Sequence, residues 1–283
     1  MKIANQGGRT VILTGDDEVI DVEQASGGRF GPSPESVLAD WDSFRAWAVA
    51  ASPEPTGRLV PEDLRAPSPR PPQVFGIGLN YKSHADEAGA SAPETPLTFT
   101  KFPSSVTGPV GDIELTGPQV DWEVELVVVM GRRTHRVSAS EAWDHVAGVT
   151  LGQDVSDREV QVRPAGHPQF NLGKSLPGFA PIGPFLVTPD ELTDPDDVQL
   201  GCSVNGEEMQ NDRTTGLIYT VSELIEYLSG LVIMLPGDLI FTGTPTGVGA
   251  AMDPPRFLTA GDVLTSSSTE LGQMRHTFVD PPS

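Results

Sequence analysis

The sequence predicts a β-rich α+β fold: a β-roll or sandwich preceded by a small N-terminal α+β domain. Three observations carry this reading. From about residue 70 onward, short apolar or alternating runs recur between turns containing Gly and Pro: VFGIGLN, LTFTKF, DIELT, WEVELVVVM, HVAGVTLGQDV, FLVT, QLGCSVNG, DLIFTGTP and DVLTSSS. Such runs are the mark of strands joined by tight connections. Few segments there have helical character (YKSHADEAG, SASEAWDHV, SDREVQV and TVSELIEYLSGL), too few to place a crossover helix between every pair of strands, so a doubly wound sheet is not expected. Residues 1–70 instead combine a hairpin pattern with a helical one.

Taken in order, residues 9–25 read as a hairpin turning at Gly15-Asp16-Asp17. SPESVLADWDSFRAWAVAA follows as a helix that Ser33 or Ser36 can cap, with Val37, Leu38, Trp41, Phe44 and Trp47 as its apolar stripe. Residues 51–73 hold seven of the 27 prolines and read as a linker or a segment lying along the surface, which places the domain boundary near residue 70: 1–70 and 71–283. Beyond it, Asn205-Gly206 is a two-residue hairpin signal. Thr220 with Glu223 forms a capping-box pattern ahead of VSELIEYLSGL. The strand in DWEVELVVVMGR, residues 121–132, is unusual. Strand side chains alternate, so Asp121, Glu123 and Glu125 share one face and Trp122, Val124 and Leu126 the other, before the run becomes apolar on both faces. A row of like charges entering a core means that this end is wet or that something positive faces it. Asp121, at the strand's start, is expected to be wet.

Bulk properties narrow the function classes. A chain of 283 residues with 37% hydrophobic and 20% charged residues can bury a large core. Its net charge of −21 repels phosphate backbones and anionic membrane surfaces, so nucleic acid and membranes are not expected partners, whereas divalent cations are not repelled. The single cysteine, Cys202, rules out an intrachain disulfide and a zinc-thiolate cluster, and its strand context predicts a packing role. With no apolar leader in MKIANQGGRT and no membrane-length apolar run, a cytoplasmic location is expected.

Four constellations carry chemistry. Glu123 and Glu125 project to one side about 7 Å apart along the strand, a workable spacing for one hard cation, and Asp154 arrives at the end of another apolar strand. Three carboxylates with open coordination positions suit Mg²⁺ or Mn²⁺, although spacing alone does not separate such a clamp from a solvent-facing strand edge. His84 and Glu87 share a helix face at i, i+3, where a carboxylate orients an imidazole for proton transfer; an ordinary surface helix has the same spacing. Lys174, in the Gly/Pro-rich loop FNLGKSLPGFAPIGP, is a candidate oxyanion or carbonyl partner. The loop after DLIFTG places Thr244 among glycines that let backbone N–H groups approach a ligand, but it lacks the Gly-Lys-Ser/Thr ending of a phosphate-binding loop.

In combination and order, GLNYKSHADEAG, FTKFPSSVTGP, DWEVELVVVMGR, GQDVSDREVQ, GKSLPGFAPIGP, VNGEEMQ and LPGDLIFTGTPTGVG resemble the fumarylacetoacetate hydrolase family from about residue 73 to residue 275. The resemblance implies a mixed β-roll catalytic domain, a homodimer, and Mg²⁺ or Mn²⁺ as cofactor, with Ca²⁺ able to stand in for them in crystals. It implies metal ligation by Glu123, Glu125 and Asp154, a catalytic His84–Glu87 pair, and Lys174 as the active-site lysine. Substrate contacts fall on Gln161, on Arg158 of the same SDREVQ helix, and on Thr244. The expected substrate is a small 2-oxo acid and the expected reaction is hydrolysis of a C–C bond in an acylpyruvate or related 1,3-diketo acid. Isomerisation or decarboxylation of dicarboxylic 2-oxo or 2-hydroxydienoic acids, as in aromatic catabolism, is the alternative within enzymes; a catalytically inactive metal-dependent binding protein is the alternative outside them. The chain departs from the family's common pattern at Gln153, where many relatives have Asn, at Pro177 and Gly178, which replace Asp-Thr, and in TTGLIY, which lacks Asp-Met.

Overall fold

The computed structural model describes residues 1–15, 17–51, 53–87, 89 and 91–282. Arg9–Leu13 pairs antiparallel with Glu18–Asp21, so the expected hairpin is present as far as Asp21, where that residue caps a short helix, Val22–Ala25, in place of continued strand; Asp16 of the turn lies outside the described residues. The helical pattern resolves into two helices. Ser33 caps Pro34–Leu38 through its side-chain oxygen, and Trp41–Ala51 follows after a break at Ala39 and Asp40. Lys2–Gln6 is a strand that the sequence reading leaves unassigned: polar residues at both ends conceal a buried Ile3–Ala4–Asn5 centre. It pairs with Arg9–Leu13 on one side and with Ala180–Val187 on the other. The proline-rich segment lies along this part of the chain, with Gly57–Arg58 bonded to Glu18–Asp21 and Leu64–Arg65 to Lys2–Gln6.

Among the described residues, twelve strands make one mixed sheet. Its path from the hairpin is Lys2–Gln6, Ala180–Val187, Val146–Gln153, Val124–Met130, Leu239–Phe241, Val74–Gly78 and Leu97–Thr100. A second sheet of five strands runs in the order Glu207–Arg213, Gln199–Val204, Val263–Ser268, Gly272–Val279 and Val110–Glu114. Its first hairpin turns at Asn205 (φ 53°) and Gly206 (φ 83°), the positive pair that a two-residue turn demands. Gly272–Val279 escapes notice in the sequence because His276 occupies one of its buried, apolar-facing slots between Met274 and Phe278. The β-rich α+β architecture is therefore as expected.

The central strand Val124–Met130 is buried on both faces, and the two faces meet different cores. Trp122, Val124, Leu126, Val128 and Met130 pack toward the five-stranded sheet and the helix Val221–Leu231, whose start carries the predicted Thr220–Glu223 capping box. Val127 and Val129 pack with Phe241, Leu186, Trp41 and Phe44, which brings the N-terminal helices onto the opposite face. Cys202 is buried in this packing, and burial pushes its thiol above the ordinary range, in keeping with a structural role. Among the described residues, no helix is long and apolar enough to cross a membrane.

Candidate active site

The face that carries Val127 and Val129 continues, two residues at a time, to Glu125 and Glu123, and there the apolar cover ends. Asp154 follows the neighbouring strand Val146–Gln153, and its N–H donates to the Glu123 carbonyl at 2.9 Å, which locks the two strand ends together. Gln153 adds a second tie: its side-chain oxygen accepts the Glu123 N–H and its amide nitrogen donates to Ser266 Oγ, each at 2.9 Å. One carboxylate oxygen each from Glu123, Glu125 and Asp154 falls within 4.8 Å of the others.

These carboxylates are not a wet edge. Glu123, Glu125 and Asp154 are 6%, 1% and 1% exposed, and cations face them. Lys174 Nζ donates to Glu123 Oε2 and to Asp154 Oδ2, each at 2.7 Å. Arg158 Nη1 donates to Glu123 Oε1 at 2.6 Å. Lys101, fully buried in the segment that follows Leu97–Thr100, pairs with the other Asp154 oxygen. Asp121 is the correction: it is 0% exposed rather than wet. It accepts Arg158 Nε and Nη2 at 2.9 and 2.7 Å and three backbone N–H groups, from Trp122, Gly249 and Ala250. Asp121 thereby aims the guanidinium at Glu123. Lys101 and Asp121 are the site residues that the sequence reading missed; the signal for Lys101 was a lone lysine inside the apolar run LTFTKF.

The electrostatics divide the acids. Burial opposes ionisation of Glu123, but Lys174 and Arg158 outweigh it and hold that carboxyl down at about 2. For Glu125 burial acts in concert with the charges of Asp154 and Glu123, and the carboxyl is pushed well above the usual range. The Gly243 N–H, donating to Glu125 Oε2 at 2.8 Å, offsets this only in part. Burial also lowers Lys101 despite its pairing with Asp154, whereas Lys174, against burial, is raised by Asp154 and Glu123.

His84 stands on the short helix Lys82–Glu87, reached from Val74–Gly78 through a constrained corner. Leu79 adopts φ 51°, a left-handed conformation that a branched residue takes only where its surroundings impose it. Asn80 fixes the corner by donating to the carbonyls of Tyr219 and Thr242 and accepting the Tyr219 N–H. Gly243 (φ 103°) makes room for it, since a Cβ there would lie 2.7 Å from that of Asn80. His84 Nδ1 lies 3.1 Å from Glu87 Oε2, while Glu87 Oε1 accepts Thr246 Oγ1 at 2.8 Å and the Gly247 N–H at 2.9 Å. The carboxylate is thus anchored by the glycine-rich loop and in turn orients the imidazole.

A cavity of about 190 Å³ opens onto this cluster and is lined by His84, Glu123, Arg158, Gln161, Lys174 and Thr244, six of the nine predicted site residues. Glu87 supports His84, and Glu125 and Asp154 sit behind Glu123 and Lys174. The predicted substrate contacts differ in what they have left to offer. Arg158 spends four of its five N–H groups on Asp121, Glu123 and Gln161, which makes it chiefly a positioning group. Gln161 gives its oxygen to Arg158 at 3.1 Å and keeps its amide nitrogen for the cavity. The Thr244 hydroxyl donates to the Val124 carbonyl and accepts from Gln210.

Residues 73–279 match the family described as Fumarylacetoacetate (FAA) hydrolase C-terminal. The chain belongs to the fumarylacetoacetate hydrolase family. Within the wider group of fumarylacetoacetate hydrolase proteins, it is 44% identical over 209 residues to the oxaloacetate tautomerase FAHD2A, mitochondrial, of Bos taurus, a match covering 73% of this chain and 66% of that protein. A solved Mycobacterium smegmatis structure, provisionally designated an HpcE protein, is 50% identical with a TM-score of 0.94, all of both chains being covered. Maleylpyruvate hydrolase from Sphingobium sp. SYK-6, solved with manganese(II) and pyruvate, is 25% identical with a TM-score of 0.81, again covering 100% of both chains. Proteins of this fumarylacetoacetate hydrolase group thus include hydrolases, isomerases and tautomerases.

The donor set fits a divalent cation. Three hard carboxylate oxygens converge within 4.8 Å, and the like-charge crowding that raises Glu125 is what a bound cation relieves.

Proposed function

We propose that this chain is a divalent-metal-dependent enzyme that converts a small 2-oxo acid through its enolate, hydrolysing the C–C bond of an acylpyruvate or related 1,3-diketo acid. The observation that carries the proposal is the His84–Glu87 pair, anchored by Thr246 and Gly247, opening onto the same cavity as Glu123 and Lys174. Glu123, Glu125 and Asp154 would hold Mg²⁺ or Mn²⁺, which supplies Lewis-acid stabilisation of negative charge on the keto and carboxylate oxygens of a 2-oxo acid. In this reading the Gln161 amide and the remaining Arg158 N–H bind the substrate carboxylate; both residues line the cavity. His84, with Glu87 fixing its orientation, takes a proton from water for attack on the distal carbonyl and returns it to the departing fragment. Lys174 steadies the oxyanion formed at that carbonyl. A protein that only binds would need the carboxylates but not an anchored imidazole–carboxylate pair.

Tautomerisation of a dicarboxylic 2-oxo acid is the second reading. The name of the bovine relative favours it. Turnover of acetylpyruvate, oxaloacetate and a hydroxymuconate-type diacid with Mg²⁺ or Mn²⁺ separates the two. Pyruvate release from acetylpyruvate supports hydrolysis; enol–keto conversion of oxaloacetate alone supports the second reading. A His84→Ala variant that retains full rate refutes both. The family resemblance also supports a homodimer, for which the exposed apolar run Leu231, Val232, Ile233 and Leu235 provides surface; sedimentation at micromolar concentration tests it.

A further inference from the structure

The cavity's lining is of two kinds. Its cationic and acidic groups gather around Glu123, whereas Leu97, Phe99 and Phe170 form an apolar wall. Lys174 marks the border: its Nζ donates to Glu123 and Asp154 and lies 5.2 Å from the centroid of the Phe99 ring. Phe99 meets Phe170 edge-on at 6.0 Å.

The wall is built into the strands. Leu97–Thr100 pairs with Val74–Gly78 so that Phe99 faces Gly76 and Leu97 faces Gly78. A Cβ on Gly76 would stand 2.4 Å from the Phe99 ring, and one on Gly78 3.1 Å from Leu97 Cδ2, so the glycines let both side chains lie flat across the neighbouring strand. Among the described residues lining the cavity, the groups able to pair with an anion are His84, Arg158 and Lys174. Arg158 and Lys174 already bond Glu123, and His84 bonds Glu87; of the three, Lys174 comes up to the apolar wall, 5.2 Å from the Phe99 centroid, with its charge committed to Glu123 and Asp154.

Resting on the reading of the substrate as a 2-oxo acid, we infer that this chain selects acids whose far end is uncharged and apolar, and discriminates against those ending in a second, distant carboxylate. A carboxylate carried past Lys174 would lose part of its water against Phe99 and Phe170, beside the 40% exposed Leu97, with no uncommitted cation among the described lining residues to receive it, in a chain whose net charge is −21. An alkyl or aryl end gains from the same surface.

The matched pair 2-oxohexanoate and 2-oxoadipate, which differ only in a terminal methyl or carboxylate, tests this. Binding to the Mn²⁺-loaded protein is followed by calorimetry, with pyruvate as reference. The expected result is that 2-oxohexanoate binds about tenfold or more tightly than 2-oxoadipate. Phe170→Arg and, separately, Leu97→Arg place a guanidinium on the wall and are expected to narrow or reverse that ratio, while Mn²⁺ affinity shows that the site is intact. If 2-oxoadipate binds the unaltered protein as well as 2-oxohexanoate does, or if both arginine variants keep the original ratio, the apolar selection is wrong and the 2-oxo acid reading stands. If neither acid nor pyruvate binds in the presence of Mn²⁺, both fail.

Discussion

Replacing Glu87 by Gln separates proton transfer from binding. Glu87 Oε1 is held by Thr246 Oγ1 and the Gly247 N–H, both donors, so the oxygen of a Gln side chain takes that position. The amide NH₂ must then face His84 Nδ1, 3.1 Å away in the native pair. An N–H pointing at Nδ1 requires that nitrogen to accept, which puts the ring proton on Nε2 and removes the free base. Loss of a positioned general base costs about 10²–10⁴-fold in rate, or about 3–5 kcal/mol of transition-state stabilisation. Glu87 does not belong to the Glu123–Glu125–Asp154 cluster, so Mn²⁺ affinity should stay unchanged. The assay is exchange of the C3 protons of pyruvate with D₂O in the presence of Mg²⁺, followed by proton NMR, because enolate formation is common to hydrolysis, tautomerisation and decarboxylation. Exchange at the native rate would refute the role of the pair. So would a loss that tracks weakened Mn²⁺ binding, since the defect would then lie in the metal site.

Asp121→Asn removes one of the two carboxylates that pair the buried Arg158 guanidinium and should destabilise the protein by about 2–3 kcal/mol in urea unfolding. It should also weaken Mn²⁺ binding, because Arg158 then loses the anchor that aims it at Glu123; native stability would show that the pairing contributes nothing. His276 gives a pH dependence remote from the site. Burial lowers it from 6.5 to about 4 against the favourable contact with the Gly108 carbonyl, so the unfolded chain takes up the proton first as pH falls. The resulting stability is present above the unfolded value and is lost as pH falls toward about 4, amounting to about 2 kcal/mol between about pH 7.5 and about pH 5. Urea midpoints at the two pH values measure it, and a His276→Gln variant with an equally large difference would refute the assignment.

What could be read from the sequence was what local chemistry encodes. Asn205-Gly206 demands positive φ, Thr220 and Glu223 satisfy a helix start, and an unbroken apolar run such as residues 126–130 belongs in a core; all three appear as expected. Lys2–Gln6 and Gly272–Val279 carry no such local mark, and only their partners explain them. The candidate site divides in the same way. Alternation alone put Glu123 and Glu125 on one face without deciding between a cation clamp and a wet edge. The deciding contacts join residues far apart in the chain: Lys101 meets Asp154, and Arg158 meets Asp121 and Glu123. Complementary charge at such separations has no signature in spacing, so Asp121 read as solvated and Lys101 passed unnoticed.

One consequence of the central strand concerns how this site can evolve. Its odd-numbered positions carry first the clustered glutamates, at 123 and 125, and then packing for the N-terminal helices, at 127 and 129, while the even-numbered positions fill the other core. A one-residue insertion or deletion between the two halves would turn either the glutamates or the valines to the wrong side. A change of length by one residue between Glu125 and Val127 would therefore break this phase, whereas a substitution at Leu126 would leave it intact.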